Sequence, residues 1–148
     1  MHVIPSGPLL CAGCLRRDRL LRVGMSVRLE IFTSDLDAVV AFYTQVLDFT
    51  LVRDERTAPV GYVALERGAV QIGAAYRADP VERSARRPPT GIELVLEVDD
   101  LTAEHDRVVA NGWPLEEPLQ DRPWGLADFR ILDPGGHYLR ITELASRR

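Results

Sequence analysis

The chain has 148 residues, a net charge of −4, 46% apolar and 27% charged residues, which is the composition of one globular domain with an ordinary core. No apolar run is long enough to span a bilayer, and an acidic chain with no basic stripe excludes nucleic acid as the main partner. All 18 basic residues are Arg, a bias that reads as coding composition and not as a functional patch.

Residues 1–24 stand apart. They contain Pro5, Gly7, Pro8 and Gly13, then Arg16-Arg17-Asp18-Arg19. Their net charge of +3 leaves the remainder near −7 when subtracted from −4. No charged segment precedes the short apolar stretch, so it does not read as a secretory signal, and a cytoplasmic protein is expected. Cys11 and Cys14 form a CxxC, but two thiols do not complete a zinc site, and no strand precedes them as in a redox βαβ unit. The segment reads as a disordered leader, or as untranslated sequence if Met25 is the start.

The domain proper spans 25–146. Module one (27–75) opens with an alternating strand, Val27 to Thr33. Ser34 or Asp35 caps a helix whose apolar stripe is Leu36, Val39, Val40, Tyr43, Val46 and Leu47. The helix stops near Asp48, which tolerates the left-handed conformation. Strands follow at Phe49–Arg53, Val60–Glu66 and Val70–Ala75. Residues 76–90, rich in Pro and Arg, read as a linker and a candidate lid.

Module two (91–143) repeats the pattern. Ile92 to Val98 alternates, and Asp99 or Asp100 caps a helix carrying Leu101, His105 and Val108, with His105 on its apolar stripe. Asn111-Gly112 and Pro114 end it. A short strand near Trp113–Glu117 and a Pro-bounded loop come next. The alternating runs Asp128–Leu132 and Tyr138–Thr142 then flank the turn Asp133-Pro134-Gly135-Gly136, forming a hairpin. Asp35-Leu36 aligns with Asp100-Leu101 at an offset of 65 residues.

The hairpin reads Trp124-Gly125-x-x-x-Phe129-x-x-x-Asp133-Pro134-x-Gly136, with Glu143 at its end. Together with the duplicated βαβββ pattern it resembles the vicinal oxygen chelate superfamily, which includes glyoxalase I, the bleomycin resistance proteins and the extradiol dioxygenases. The resemblance covers nearly all of Val27 to Glu143. It implies an α+β fold in which two βαβββ modules form an open, curled sheet of half-barrels around a ligand cleft.

In metal-dependent members, His, Gln or Glu come from the first and last strand of each module. Carried over, those positions fall on Arg28, Glu93, Arg140 and either Ile72 or Gly73. Only Glu93 is a metal ligand by chemistry, and guanidiniums repel a dication. His2 lies in the leader and His137 just after the turn, where exposure is expected. The expectation is no metal and no cofactor.

Alternation groups Arg28, Glu30 and Phe32, then Glu93, Val95 and Glu97, then Tyr138, Arg140 and Thr142. Only the resemblance says that these faces line the concavity. One reading pairs them as an ion network, Arg28–Glu93 and Arg140–Glu97 or other pairings among the same groups. The other makes Arg28, Glu30, Phe32, Glu93, Glu97, Tyr138 and Arg140 a ligand site, with Trp124 as a stacking ring and Tyr62 and Trp113 as further candidates, though core positions for those two are expected. The Glu residues suit a cation and the Arg residues an oxyanion, so the sign stays open. The functional expectation is a metal-independent, homodimeric small-molecule binding protein, closest to the bleomycin-resistance branch, sequestering a drug or metabolite. The alternative is a lyase, isomerase or dioxygenase, with Glu93 as candidate catalytic base.

Overall fold

A computed structural model describes residues 26–82, 86 and 91–144. The leader, its CxxC and most of the linker lie outside the described residues. Two four-stranded sheets carry the architecture, ordered β1-β4-β3-β2 and β5-β8-β7-β6. The first holds β1 (Arg28–Thr33), β2 (Thr50–Glu55), β3 (Tyr62–Arg67) and β4 (Val70–Tyr76). The second holds β5 (Leu94–Val98), β6 (Glu117–Asp121), β7 (Ala127–Leu132) and β8 (Tyr138–Glu143). In each, the first strand pairs parallel with the last, and the other pairs are antiparallel. Two βαβββ modules are therefore present.

In each module a helix links the first strand to the second, which lie at opposite edges of the sheet. Asp35 caps α1 (Leu36–Ala41) by accepting the Ala38 N–H at 2.8 Å, and Asp100 caps α2 (Leu101–Ala110) by accepting the Ala103 N–H at 2.9 Å. A cap oxygen satisfies an amide that the first helical turn leaves without a partner. These caps are the two Asp residues aligned by the repeat.

The first helix does not run on as α to Asp48. At Phe42–Val46 it widens into one π-helical turn, in which the Leu47 N–H reaches the Phe42 carbonyl at 3.3 Å. The Thr44 hydroxyl donates to the Val40 carbonyl at 2.7 Å, competing with the regular ladder. The wider turn brings the consecutive rings of Phe42 and Tyr43 into the core together. Asp48 then turns the chain at φ 56°. Only glycine adopts that region without cost, so Asp48→Gly is expected to stabilise by about 0.5–1 kcal/mol, read as a small rise in melting temperature.

The core lies between each sheet and its helix and is shared by the two modules. The Phe42 and Trp113 rings meet at 4.6 Å across the boundary, and Trp113 Nε1 donates to the Leu132 carbonyl at 2.8 Å. Trp113 is partly buried and packs against the core. His105 sits edge-on against Phe129 at 5.4 Å and reaches Asp106 with its Nδ1.

The strand expected near Trp113–Glu117 is displaced. It is β6, Glu117–Asp121, and it includes Pro118. β6 is a sheet edge with a register shift between Glu117 and Gln120, where a missing N–H costs little. No helix among the described residues is long and apolar enough to cross a membrane.

Candidate functional site

Strand alternation gives each sheet two faces. Leu29, Ile31, Val63, Leu65, Ile72, Phe129, Ile131, Leu139 and Ile141 turn inward to the helices. The opposite face of each sheet is open. Phe32 and Val95 on these faces are 44% and 38% exposed, and Trp124, in the loop between β6 and β7, is 56% exposed. Of the residues grouped by alternation, Arg28, Glu30 and Phe32 lie on the open side of β1, Val95 and Glu97 on that of β5, and Tyr138 and Arg140 on that of β8, while Glu93 stands just before β5 and Thr142 is buried with its hydroxyl donating to the Ala127 carbonyl.

On module one, Glu30 faces Gly73 and Phe32 faces Ala75 in the parallel register. On module two, Val95 faces Arg140. At the repeat offset Glu30 corresponds to Val95, so the counterpart of Arg140 is Gly73 and not Ile72. The space above Gly73 is filled: a Cβ there would lie 2.5 Å from the Tyr62 hydroxyl and against the Glu30 carboxylate. Tyr62 is therefore a face residue and not a core residue, and the Arg53 guanidinium covers its ring at 5.4 Å.

The expected cross-module pair Arg28–Glu93 does not form. Arg28 Nε meets Glu30 at 3.1 Å, two residues away on the same strand face. Arg140 pairs at 3.0 Å with Glu93, not with Glu97. Both pairs form within one module, Arg28–Glu30 in the first and Arg140–Glu93 in the second. Phe32 carries the Arg77 guanidinium at 4.8 Å and lines a cavity of about 240 Å³ with Ser34, Val81, Arg86 and Pro134.

The densest polar network is on module two. Glu117 accepts from Arg122 at 2.6 Å, from Arg130 at 3.0 Å and from the Tyr138 hydroxyl at 3.0 Å. Asp128, fully buried, accepts from Arg122 Nε at 2.8 Å. The Arg122 hydrogen bond, aided by Tyr138 and Arg130 against a smaller opposing effect of burial, holds the Glu117 carboxyl below its ordinary range. Trp124 stands at the tip of the β6–β7 loop, with the Arg122 and Arg140 guanidiniums 5.9 and 6.0 Å from its ring centre.

Glu117, Arg122, Asp128 and Arg130 were absent from the residues singled out by sequence. Asp128 and Arg130 alternate with Phe129 and Ile131, so carrying the alternation into β7 would have placed them beside Arg140. Glu117 and Arg122 had no such signal.

His137 is not the exposed residue expected. Its Nδ1 lies 2.9 Å from Asp133 Oδ2 and its Nε2 2.7 Å from Arg86, because the tight turn folds it back over the Asp133 carboxylate.

The metal-ligand positions are thus Arg28, Gly73, Glu93 and Arg140: two cations, no side chain, and one carboxylate committed to Arg140. Among the described residues no group of three or more His, Cys, Asp or Glu could hold a metal ion. This donor set does not fit a divalent metal.

A family model for the Glyoxalase/Bleomycin resistance protein/Dioxygenase superfamily matches residues 26–141. The chain belongs to this superfamily. Among solved structures, TioX from Micromonospora sp. ML1 is similar at 25% identity and TM-score 0.65, over 81% of this chain and 98% of that one. A bleomycin resistance determinant encoded on the transposon Tn5 is similar at 20% identity and TM-score 0.65, over 82% and 98%. A bleomycin-binding protein complexed with bleomycin is similar at 21% identity and TM-score 0.62, over 81% and 98%. The last two likenesses show the shared glyoxalase-like fold. No curated protein matches the chain by sequence.

Proposed function

We propose that this glyoxalase-superfamily chain is a metal-independent, cytoplasmic small-molecule binding protein, and that it sequesters a drug or metabolite on the open sheet faces of a homodimer. The observation that supports it most is the pair of open faces, on which aromatic and charged side chains meet water while the superfamily's metal positions hold Arg28, Gly73 and Arg140. Apolar surface left open on a sheet calls for a cover, and a second copy of the chain supplies one of matching shape. The superfamily neighbours add support, since one of them is a complex with bleomycin.

On this reading the ligand lies across Arg28, Glu30, Phe32 and Tyr62 of one module and Glu93, Glu97, Trp124, Tyr138 and Arg140 of another. Trp124 is the flat apolar plate, and the half-buried polar groups set orientation.

The test is a thermal-shift panel of antibiotics and metabolites, run beside Mn²⁺, Fe²⁺, Co²⁺, Ni²⁺ and Zn²⁺ on chelator-stripped protein. A ligand at 100 times Kd stabilises by about 2.7 kcal/mol, a shift of several degrees for a domain of this size. The expected result is a saturable shift with an organic ligand, quenched Trp emission that Trp124→Phe removes, no shift with any metal, and a dimer by sedimentation. A saturable metal shift that Glu93→Ala abolishes would instead point to the enzyme reading, with Glu93 in its site.

A further inference from the structure

We propose that the seam between β7 and β8 on the open face of module two is an oxyanion site, and that the ligand presents a carboxylate or phosphate there while its planar part rests on Trp124. This rests on the reading that the face binds a small molecule, and it gives that molecule a sign.

The argument starts from register. Val95, Arg140, Arg130 and Glu117 form one row straight across the sheet, each the direct partner of the next. Arg140 and Arg130 are therefore cross-strand neighbours on one face. Like charges directly opposite destabilise a sheet, and here the side chains are only 23% and 13% exposed, so water screens them poorly. The acids stand on the outer flanks. Glu117 holds Arg130 at 3.0 Å from the β6 side, and Glu93 holds Arg140 at 3.0 Å from the β5 side. Nothing negative lies between the two guanidiniums along that row.

Hydrogen-bond satisfaction points the same way. A guanidinium has five N–H donors and no acceptor. The Nε atoms of Arg130 and Arg140 are both buried and without a partner, so a ligand on the face meets these guanidiniums through their terminal nitrogens alone. Asp128, one row on, is 3.5 Å from Arg130 Nε, too long for a good bond, and its Oδ1 already takes Arg122 at 2.6 Å. Asp128 Oδ2 is also without a partner, but its side chain is 1% exposed, sealed under Arg122, and cannot reach a ligand on the face. The terminal nitrogens of Arg140 can. An oxyanion in the seam accepts charge-assisted bonds from both guanidiniums and removes their repulsion, and a cation does neither.

Trp124 supplies the rest of the class. Its ring is more than half exposed, and the Arg140 guanidinium 6.0 Å from its centre ties it to the seam. A planar, aromatic oxyanion meets both features at once.

The experiment is calorimetric titration of the full chain with 2-naphthoate, 2-naphthyl phosphate, 2-naphthamide and 2-naphthylmethylammonium. The expected result is that naphthoate or naphthyl phosphate binds tighter than naphthamide by about tenfold or more, with the ammonium weakest. Which of the two anions binds tighter identifies the oxyanion. The paired variant Glu93→Gln/Arg140→Gln removes one ion pair as a unit, keeps the net charge, and leaves Arg130 and its partners in place. It is expected to lose about tenfold for the anion and markedly less for naphthamide, which has no charge for Arg140 to meet. Equal or tighter binding of the ammonium overturns the proposal, as does an unchanged anion affinity in the paired variant. Failure of both anions to bind also overturns it. If a cation from the broader panel then quenches Trp124, only the sign is wrong, whereas failure of every ligand sinks the small-molecule reading itself.

Discussion

Arg67→Met is expected to lower stability by about 3 kcal/mol near neutral pH, because it strands a buried carboxylate. Arg67 on β3 reaches from module one to Glu104 on α2 of module two with both terminal nitrogens, at 2.9 Å on one side and in closer contact on the other. The same guanidinium donates to the Leu47 carbonyl at 2.8 Å, closing the end of the first module's helix. Glu104 is only 4% exposed and would keep Arg107, at 2.7 Å, as its one cation. The drop corresponds to about 6–10 °C in melting temperature. The double variant Arg67→Met/Glu104→Met is expected to recover most of it, since the charge to be buried is then gone. The pH dependence has a definite sign. Burial raises the Glu104 carboxyl, but the Arg67 hydrogen bond and the charges of Arg67 and Arg107 outweigh it, leaving the group below its ordinary value. A depressed folded pKa gives stability that is full above the unfolded value, about 4.3, and is lost as the pH falls below it. Without Arg67 the carboxyl can accept a proton in the folded state, so the variant's deficit should shrink as pH drops from 7 toward 4. Melting curves across that range read it directly, and a pH-independent deficit would mean that lost packing, not a stranded charge, causes the loss.

These long-range contacts also mark the limit of what could be read from sequence. Local rules gave the frame. Asp35 and Asp100, one of two candidates at each helix start, cap their helices, the turn at Asp133 to Gly136 makes its hairpin, and alternation correctly sorted Glu30 from Ile31 and Arg140 from Ile141. Alternation is a property of one strand, so it survives without knowledge of the partner strand. Pairing does not. Whether Arg28 meets Glu30 or Glu93 depends on where the modules sit, and no spacing encodes that. The shift of β6 onto Pro118 escaped because proline argues against a strand except at an edge, and edges are set by sheet order. The π-helical turn escaped because it depends on how Phe42 and Tyr43 fit against the sheet and against Trp113.

Asp133→Ala is expected to cost about 3 kcal/mol, although the residue looks like an ordinary turn former. Its side chain has no exposure and serves three donors: the Tyr43 hydroxyl at 3.1 Å, the His137 backbone N–H at 2.8 Å and His137 Nδ1 at 2.9 Å. Tyr43 comes from module one and is itself 1% exposed, so alanine leaves a hydroxyl buried in the shared core with no acceptor. Tyr43→Phe removes the hydroxyl together with its need for a partner, and should cost only about 1 kcal/mol. A double-mutant cycle between the two positions then isolates the coupling of module one to the hairpin. Burial pushes the Tyr43 phenol well above its ordinary value, and the Asp133 charge and hydrogen bond add to it. A raised folded pKa means stability that is full below the unfolded value, about 10, and is lost as the pH rises beyond it. Tyr43→Phe should therefore lose less stability than the parent between pH 9 and 11, reversing their order if the alkaline loss exceeds the cost of the missing bond. The same turn fixes where β8 starts, two residues before Arg140, so its looseness has a second consequence. Urea unfolding with an unchanged m-value would show that Asp133→Ala weakens the native state without fraying it. A lower m-value would show that the hairpin has come loose from the core, and the face bearing Tyr138 and Arg140 would then lose its register.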